Sequence, residues 1–199
     1  MENQLKIIRL SIENQIPISL EVWSTICADK FNILSLPKVK ILSELDKIIL
    51  SKHVRNGLNL LMDSGLLGVL IPELSLQKNY DQNTPFHDFT LWEHTLNVIE
   101  AVPQGQLDLR WSALLHDIAK PFTRVEKANG NSGYRCHELL GSEMAVRICS
   151  YLNFPQRRID YITNIVRHHL NPTSPLKKYD DGGKKIKQDT QVIQAVTIS

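Results

Sequence analysis

The residues best equipped for chemistry lie in Trp111-Ser-Ala-Leu-Leu-His-Asp-Ile-Ala-Lys-Pro121. An apolar helical run delivers adjacent His116 and Asp117, then Lys120, and Pro121 is read as the residue that stops it. Imidazole, carboxylate and ammonium thus stand within about one turn. Buried carboxylates and imidazoles are costly unless compensated, and a metal ion compensates both directly. His94, His137, His168 and His169 also fall on apolar helical faces. Five of the seven histidines therefore gather with Asp117, leaving His53 and His87 outside. A mixed set of imidazoles and a carboxylate suits Mn, Fe, Co, Ni or Zn, and the lack of thiolates argues against a structural zinc site. Asp117 is thus a metal candidate, and Lys120 sets a cation one turn past His116. Each residue also has a plainer reading: a lone inward histidine such as His94 is often a hydrogen-bonded core residue, and Lys120 also suits a helix C-terminus.

The elements that must position these groups all read as helices. Leu5, Ile8 and Ile12 share one face of a first helix, and Ser19 caps a second that carries Val22, Trp23, Ile26 and Cys27. Pro37 precedes Ile41, Leu45, Ile48 and Ile49, and Ser51 opens a fourth helix through Val54, Leu58, Leu61 and Met62, with Gly65 as its stop. Leu66 to Leu70 is a short apolar turn closed by Pro72. Tyr80 to Asp88 is a polar connection and the expected boundary between two parts. Thr90-Leu-Trp-Glu93 makes a capping box that starts the helix bearing His94. His137 falls at a helix start, after a loop from Asn129 to Gly133. Ile159, Ile162, Ile165 and Val166 form the last apolar stripe, which His168 and His169 end. No convincing strand is present. The predicted class is all-α, a helical bundle.

The bulk properties narrow the function. A formal charge of +2 does not by itself announce a nucleic-acid binder. Cys27, Cys136 and Cys149 show no paired spacing and read as reduced, mostly core thiols. No apolar run approaches membrane-spanning length and no signal core is seen, so a cytoplasmic protein without membrane partners is expected. Trp92 and Trp111 read as core, and Arg124, Lys127, Arg157, Arg158 and Arg167 as a positive rim or a solvated face.

The ordered set His94, His116-Asp117, His137, His168-His169 resembles the signature of HD-domain metal-dependent phosphohydrolases. Asp117-Ile-Ala-Lys120 resembles the common form of its central motif, with alanine where glycine is frequent. The resemblance implies a first metal on His94, His116 and Asp117, completed by a distal aspartate, and a second on His137, His168 and His169. One or two divalent transition-metal ions (Mn, Ni, Co, Fe or Zn) would serve. After the histidine pair only Asp180, Asp181 and Asp189 are available as the distal aspartate. Implied substrates are 2′,3′-cyclic phosphodiesters, 2′-nucleotides or phosphomonoesters, including an RNA 3′ end.

A longer resemblance runs from about Leu5 to about Lys185. Leu5-Lys-Ile-Ile-Arg-Leu10, Ser43-Glu-Leu-Asp-Lys-Ile-Ile-Leu-Ser51, Gly65-Leu-Leu67, Ile71-Pro-Glu-Leu74, Leu91-Trp-Glu-His-Thr-Leu96, Arg110 to Pro121 and Val166-Arg-His-His-Leu170 occur in this order. Together they resemble the neck, body and HD portion of bacterial CCA-adding tRNA nucleotidyltransferases, with Lys6 where arginine is usual. No glycine-rich nucleotidyltransferase strand precedes them, so the chain is expected not to add nucleotides alone. The implied organisation is a four-helix neck-like, RNA-binding-like region over 1–80, an HD-type metal-binding domain over 81–176, and a basic tail, in part disordered, over 177–199. A rival expectation follows: a non-hydrolytic tRNA-binding body that pairs with a separate nucleotidyltransferase head. Lys6, Arg9, Lys38, Lys40, Lys47 and Lys52 would form its basic stripe.

Overall fold

Apolar spacing of three and four residues governs the chain, and the computed structural model is accordingly helical. It describes residues 4–83, 89–170 and 193. In chain order, α1 (Gln4–Asn14), α2 (Leu20–Ala28), a 3-10 turn (Lys30–Ser35), α3 (Lys38–Leu50), α4 (Val54–Asp63), α5 (Leu66–Leu70) and α6 (Pro72–Ser75) form the first part. After them come α7 (Leu91–Ala101), α8 (Leu107–Leu115), α9 (Lys120–Thr123), a hairpin of β1 (Arg124–Glu126) and β2 (Ser132–Tyr134), α10 (His137–Tyr151) and α11 (Gln156–His168). The calls that fall on 84–88 and on 171–199 other than 193, including His87, Asp180, Asp181, Asp189 and the basic tail, lie outside the described residues.

The predicted stripes are the buried ones. Leu5, Ile8 and Ile12 of α1, Ile41, Leu45, Ile48 and Ile49 of α3, and Val54, Leu58, Leu61 and Met62 of α4 bury one face each. Ser19 accepts a hydrogen bond from the Val22 N–H, as an N-cap should, and Gly65 takes the left-handed φ of +77° that ends a helix well.

Several expectations are corrected. The α4 helix starts at Val54, because the Ser51 hydroxyl accepts from the His53 N–H and closes a turn instead of opening the helix. The Leu66–Leu70 stretch is itself helical, α5. Of the apolar residues of α2 only Ile26 is buried, and Leu20 is 84% exposed. A strand pair does exist: β1 and β2 pair antiparallel, Val125 opposite Gly133, across the Asn129–Gly133 loop. Period-two alternation cannot announce it, because each strand is three residues long and β1 is exposed throughout.

One continuous apolar core runs from Leu5 to Val166 and includes Ile193. Three side chains fasten its two ends. Buried Arg110 donates to the carbonyls of Ile49 (2.8 Å) and Ser51 (3.0 Å), satisfying the open end of α3, and also to Val102. Trp111 Nε1 donates to Asp46 at 2.7 Å, and Arg158 grips Asp46 and Asp108. Both buried tryptophans are core residues with a satisfied N–H, Trp92 donating to Asn59. The expected basic stripe is interrupted. Glu44 claims both Arg9 and Lys47, and Lys38 lies over the Tyr151 ring, which leaves Lys6, Lys40 and Lys52 exposed. No described helix is long and apolar enough to cross a membrane.

Candidate metal centre

Each site residue is delivered by a helix end or a turn. The Thr90 hydroxyl accepts from the Glu93 N–H at 3.2 Å, which fixes the first turn of α7 and turns His94 inward. The α8 helix ends at Leu115, and residues 116–119 form a turn. Adjacent residues on a continuous helix do not face each other. The turn lets His116 and Asp117 converge instead, with Nε2 to Oδ2 at 3.0 Å. Pro121 therefore does not stop α8; it occupies the first turn of α9, where its missing N–H costs nothing. Lys120 opens α9 and does not close α8, so a helix macrodipole is not what holds it. His137 opens α10 after Cys136, whose φ is +61°, and His169 caps the end of α11.

The donors form two groups that share one carboxylate. His94 and His116 approach through their Nε2 atoms at 3.2 Å, and both face Asp117 Oδ2, at 3.3 and 3.0 Å. His137 and His169 do the same at 3.2 Å, facing Oδ1 at 3.0 and 3.6 Å. Lys120 Nζ stands 2.7 Å from Oδ2. All are buried, His116, Asp117 and His169 completely.

The backbone sets the tautomers. Nδ1 of His116 faces Ala113 O (2.7 Å), that of His137 faces Tyr134 O (2.7 Å), and that of His169 faces Val166 O (2.6 Å). A carbonyl only accepts, so each Nδ1 carries the proton and, in the neutral ring, Nε2 presents a lone pair. His137 and His169 then point two lone pairs at each other, which is repulsive unless a proton or a metal ion stands between them. Asp117 tells the same story. Five nitrogens lie within 2.7–3.6 Å of its oxygens, yet none makes a well-formed hydrogen bond to either buried oxygen.

The residues present fit a divalent ion. Ligand bonds of about 2.1 Å at tetrahedral to octahedral angles put donor atoms about 3.0–3.4 Å apart. The first group spans 3.0–3.3 Å and the second 3.0–3.6 Å. Burial pushes the Asp117 carboxyl up, but His116 and Lys120 outweigh it and hold it well below the usual carboxylate range. Burial pulls His116 down to about 4 against the attraction of Asp117, so this ring stays neutral and able to ligate. For His137 burial also pulls down, but Asp117 prevails and the pKa rises.

The structure thus brings together His94, His116, Asp117, Lys120, His137 and His169. His168 does not join them. It is half-buried, one residue and so roughly 100° around the helix from His169, its pKa lowered by burial and by Arg167. Arg158 is tied to Asp46 and Asp108, while Arg124 and Lys127 are exposed on the hairpin. Cys136 is exposed and only Cys149 is buried, contrary to the expectation of mostly core thiols. One site residue escapes helix-based reading altogether: Gln82, fully buried, accepts from Lys120 Nζ at 2.8 Å. It lies in a polar connection where no periodicity marks it.

Comparison with known proteins follows the same lines. The model of the HD domain family matches residues 91–197, more than half of the chain. A second model, described as the probable RNA and SrmB-binding site of polymerase A, matches residues 16–77. The chain is 34% identical over 137 residues to the CC-adding tRNA nucleotidyltransferase of Thermus thermophilus, covering 66% of this chain and 31% of that protein. It is 27% identical over 136 residues to the A-adding tRNA nucleotidyltransferase of Deinococcus radiodurans, with the same coverage. To the bifunctional uridylyltransferase/uridylyl-removing enzyme of Rhodospirillum rubrum it is 29% identical over 162 residues, 70% of this chain and 16% of that protein. The chain spans about a third or less of the length of these relatives. By the match over its second half, and with the histidine–aspartate cluster seated inside that match, the chain belongs to the HD domain family.

Proposed function

We propose that this chain is a metal-dependent phosphohydrolase acting on phosphate esters of nucleotides or RNA ends: 2′,3′-cyclic phosphodiesters, 2′-nucleotides or phosphomonoesters. The carrying observation is the buried Asp117 carboxylate, ringed by four imidazole Nε2 atoms but satisfied by no hydrogen bond. His94, His116 and Asp117 would hold one ion and Asp117, His137 and His169 a second, drawn from Mn, Ni, Co, Fe or Zn. When bound, a divalent ion lowers the pKa of water and draws electron density from a phosphoryl oxygen. The chain does the rest. Nδ1 bonds hold three rings in ligating tautomers, burial excludes bulk water, and the Lys120 ammonium pairs with a phosphoryl oxygen. Arg124 and Lys127 extend the positive edge along the hairpin. Removal of a nucleotidyl group is also what the name of the uridylyl-removing relative describes, which supports an ester of this class.

The test is metal analysis of chain purified without chelators, followed by turnover of bis-p-nitrophenyl phosphate and 2′,3′-cyclic AMP with manganese or nickel. Bound metal and turnover, both lost in Asp117→Ala, support the reading. Metal-free wild type, or unchanged metal content in the variant, overturns it.

A second reading rests on the match over residues 16–77 and on the relatives named as tRNA nucleotidyltransferases. In it, residues 1–80 hold tRNA through exposed lysines such as Lys6, Lys40 and Lys52, residues 81–176 carry the metal centre, and a cytoplasmic nucleotidyltransferase head is the partner. Salt-sensitive tRNA binding without turnover at any metal would favour it.

A further inference from the structure

The connection between α6 and α7 is polar in sequence, yet Gln82 within it has no exposed surface. Its Oε1 accepts from Lys120 Nζ at 2.8 Å. An ammonium only donates, so the amide oxygen must face it and the orientation of the amide is fixed. The Gln82 carbonyl accepts from the Tyr134 hydroxyl. Its neighbour is tied to the same hairpin: Asn83 O accepts from the Ser132 N–H at 2.9 Å, and Asn83 Nδ2 donates to Gly130 O at 2.9 Å. The Tyr134 ring lies 5.5 Å from Lys120 Nζ. A continuous path of contacts therefore leads from the hairpin through Gln82 to Lys120 and on to Asp117.

We propose that Gln82 is the positioning residue that aims Lys120 at the phosphoryl group of the substrate, an assignment that rests on the phosphohydrolase reading above. The ammonium has three N–H groups. One goes to Gln82, and Nζ also stands 2.7 Å from Asp117 Oδ2 as an ion pair, so an N–H remains for a phosphoryl oxygen. Asp117 is shared with four imidazoles and is not a dedicated partner. On a flexible four-carbon stem, Lys120 needs a second anchor to hold its direction. A neutral amide provides it without cancelling the charge that the phosphate requires, and the hairpin holds that amide in place.

The experiment uses the manganese-loaded full chain and inorganic phosphate as the probe, with affinity read by calorimetry. Gln82→Met keeps the length and removes the acceptor. It is expected to weaken phosphate binding roughly tenfold, the scale of one hydrogen bond to a charged group, with manganese content and melting temperature close to wild type. Gln82→Glu keeps an acceptor but adds a carboxylate that cancels the ammonium's charge, and is expected to bind phosphate no better than Gln82→Met. In a Lys120→Met background, adding Gln82→Met changes phosphate affinity no further, because the two act as one device. Additive losses, or wild-type affinity in Gln82→Met, overturn the proposal. A wild type that binds manganese but not phosphate overturns it and leaves the metal centre standing. A wild type that binds no manganese overturns the reading beneath it, and this assignment falls with it.

Discussion

His116 and Asp117 are neighbours in the chain and face each other across 3.0 Å, Nε2 to Oδ2. This is possible because α8 ends one residue before them. The turn that follows sends Asp117 between two histidine pairs and returns Lys120 to within 2.7 Å of the same Oδ2. The first expectation concerns that carboxylate. Asp117→Asn keeps the volume and removes the charge, and should lower bound metal by one to two orders of magnitude, roughly the scale of losing a ligand or its support. His168→Ala should leave metal content unchanged, because His168 stands apart from the cluster. Metal analysis of the two variants side by side checks both.

The depressed pKa of His116 makes metal-free chain sensitive to acid. In the unfolded chain this ring takes a proton near 6.5, whereas the folded site refuses it down to about 4. Between those values the unfolded state binds more protons, so stability falls as pH drops from about 6.5 to about 4. The shift corresponds to about 3 kcal/mol at most. His137 works in the opposite direction, its raised pKa adding stability below the unfolded value. The difference between wild type and His116→Gln therefore isolates the effect: urea midpoints should converge as pH falls through this window.

Arg110 should be among the costliest residues to change. It is buried and holds the carbonyls of Ile49, Ser51 and Val102. Arg110→Met leaves those acceptors in the core without donors, for an expected loss of about 2–4 kcal/mol by urea unfolding. Manganese affinity should change far less, since no contact of Arg110 reaches the histidines.

Cys136 and Cys149 should separate cleanly in labelling. Cys136 is exposed and should react with a thiol reagent in the folded chain, whereas burial pushes the Cys149 thiol up to about 12. Mass spectrometry after a brief pulse should find label on Cys136 and none on Cys149 until denaturant is added.

Much of this was legible in the sequence because helices announce themselves through spacing. Ile41, Leu45 and Ile48 could only be one face of a helix, and His94 could only look inward from the helix that Thr90 caps. The chemistry at Asp117 was legible as residue types, but its geometry depends on where α8 stops, and Pro121 suggested the wrong side of the break. The hairpin stayed hidden because strands of three residues are too short to carry a period. Gln82 stayed hidden because its burial is created by partners far along the chain, Lys120 and Tyr134, and not by its neighbours. His168 shows the converse: sitting beside His169 in sequence places a side chain elsewhere once the backbone remains helical.

Asp46 has a consequence for how the molecule would handle a long ligand. It accepts from Trp111 of α8 and from Arg158 of α11, while its own helix, α3, belongs to the region matched by the RNA-binding model. The helix α3 also packs directly against α8, the helix that ends just before His116. If the proposed RNA-binding reading holds, a strand gripped along α3 would be tied through these bonds to the histidine–aspartate cluster, as work clamped to one end of a jig meets a tool bolted to the other, so its length would decide which phosphate is presented.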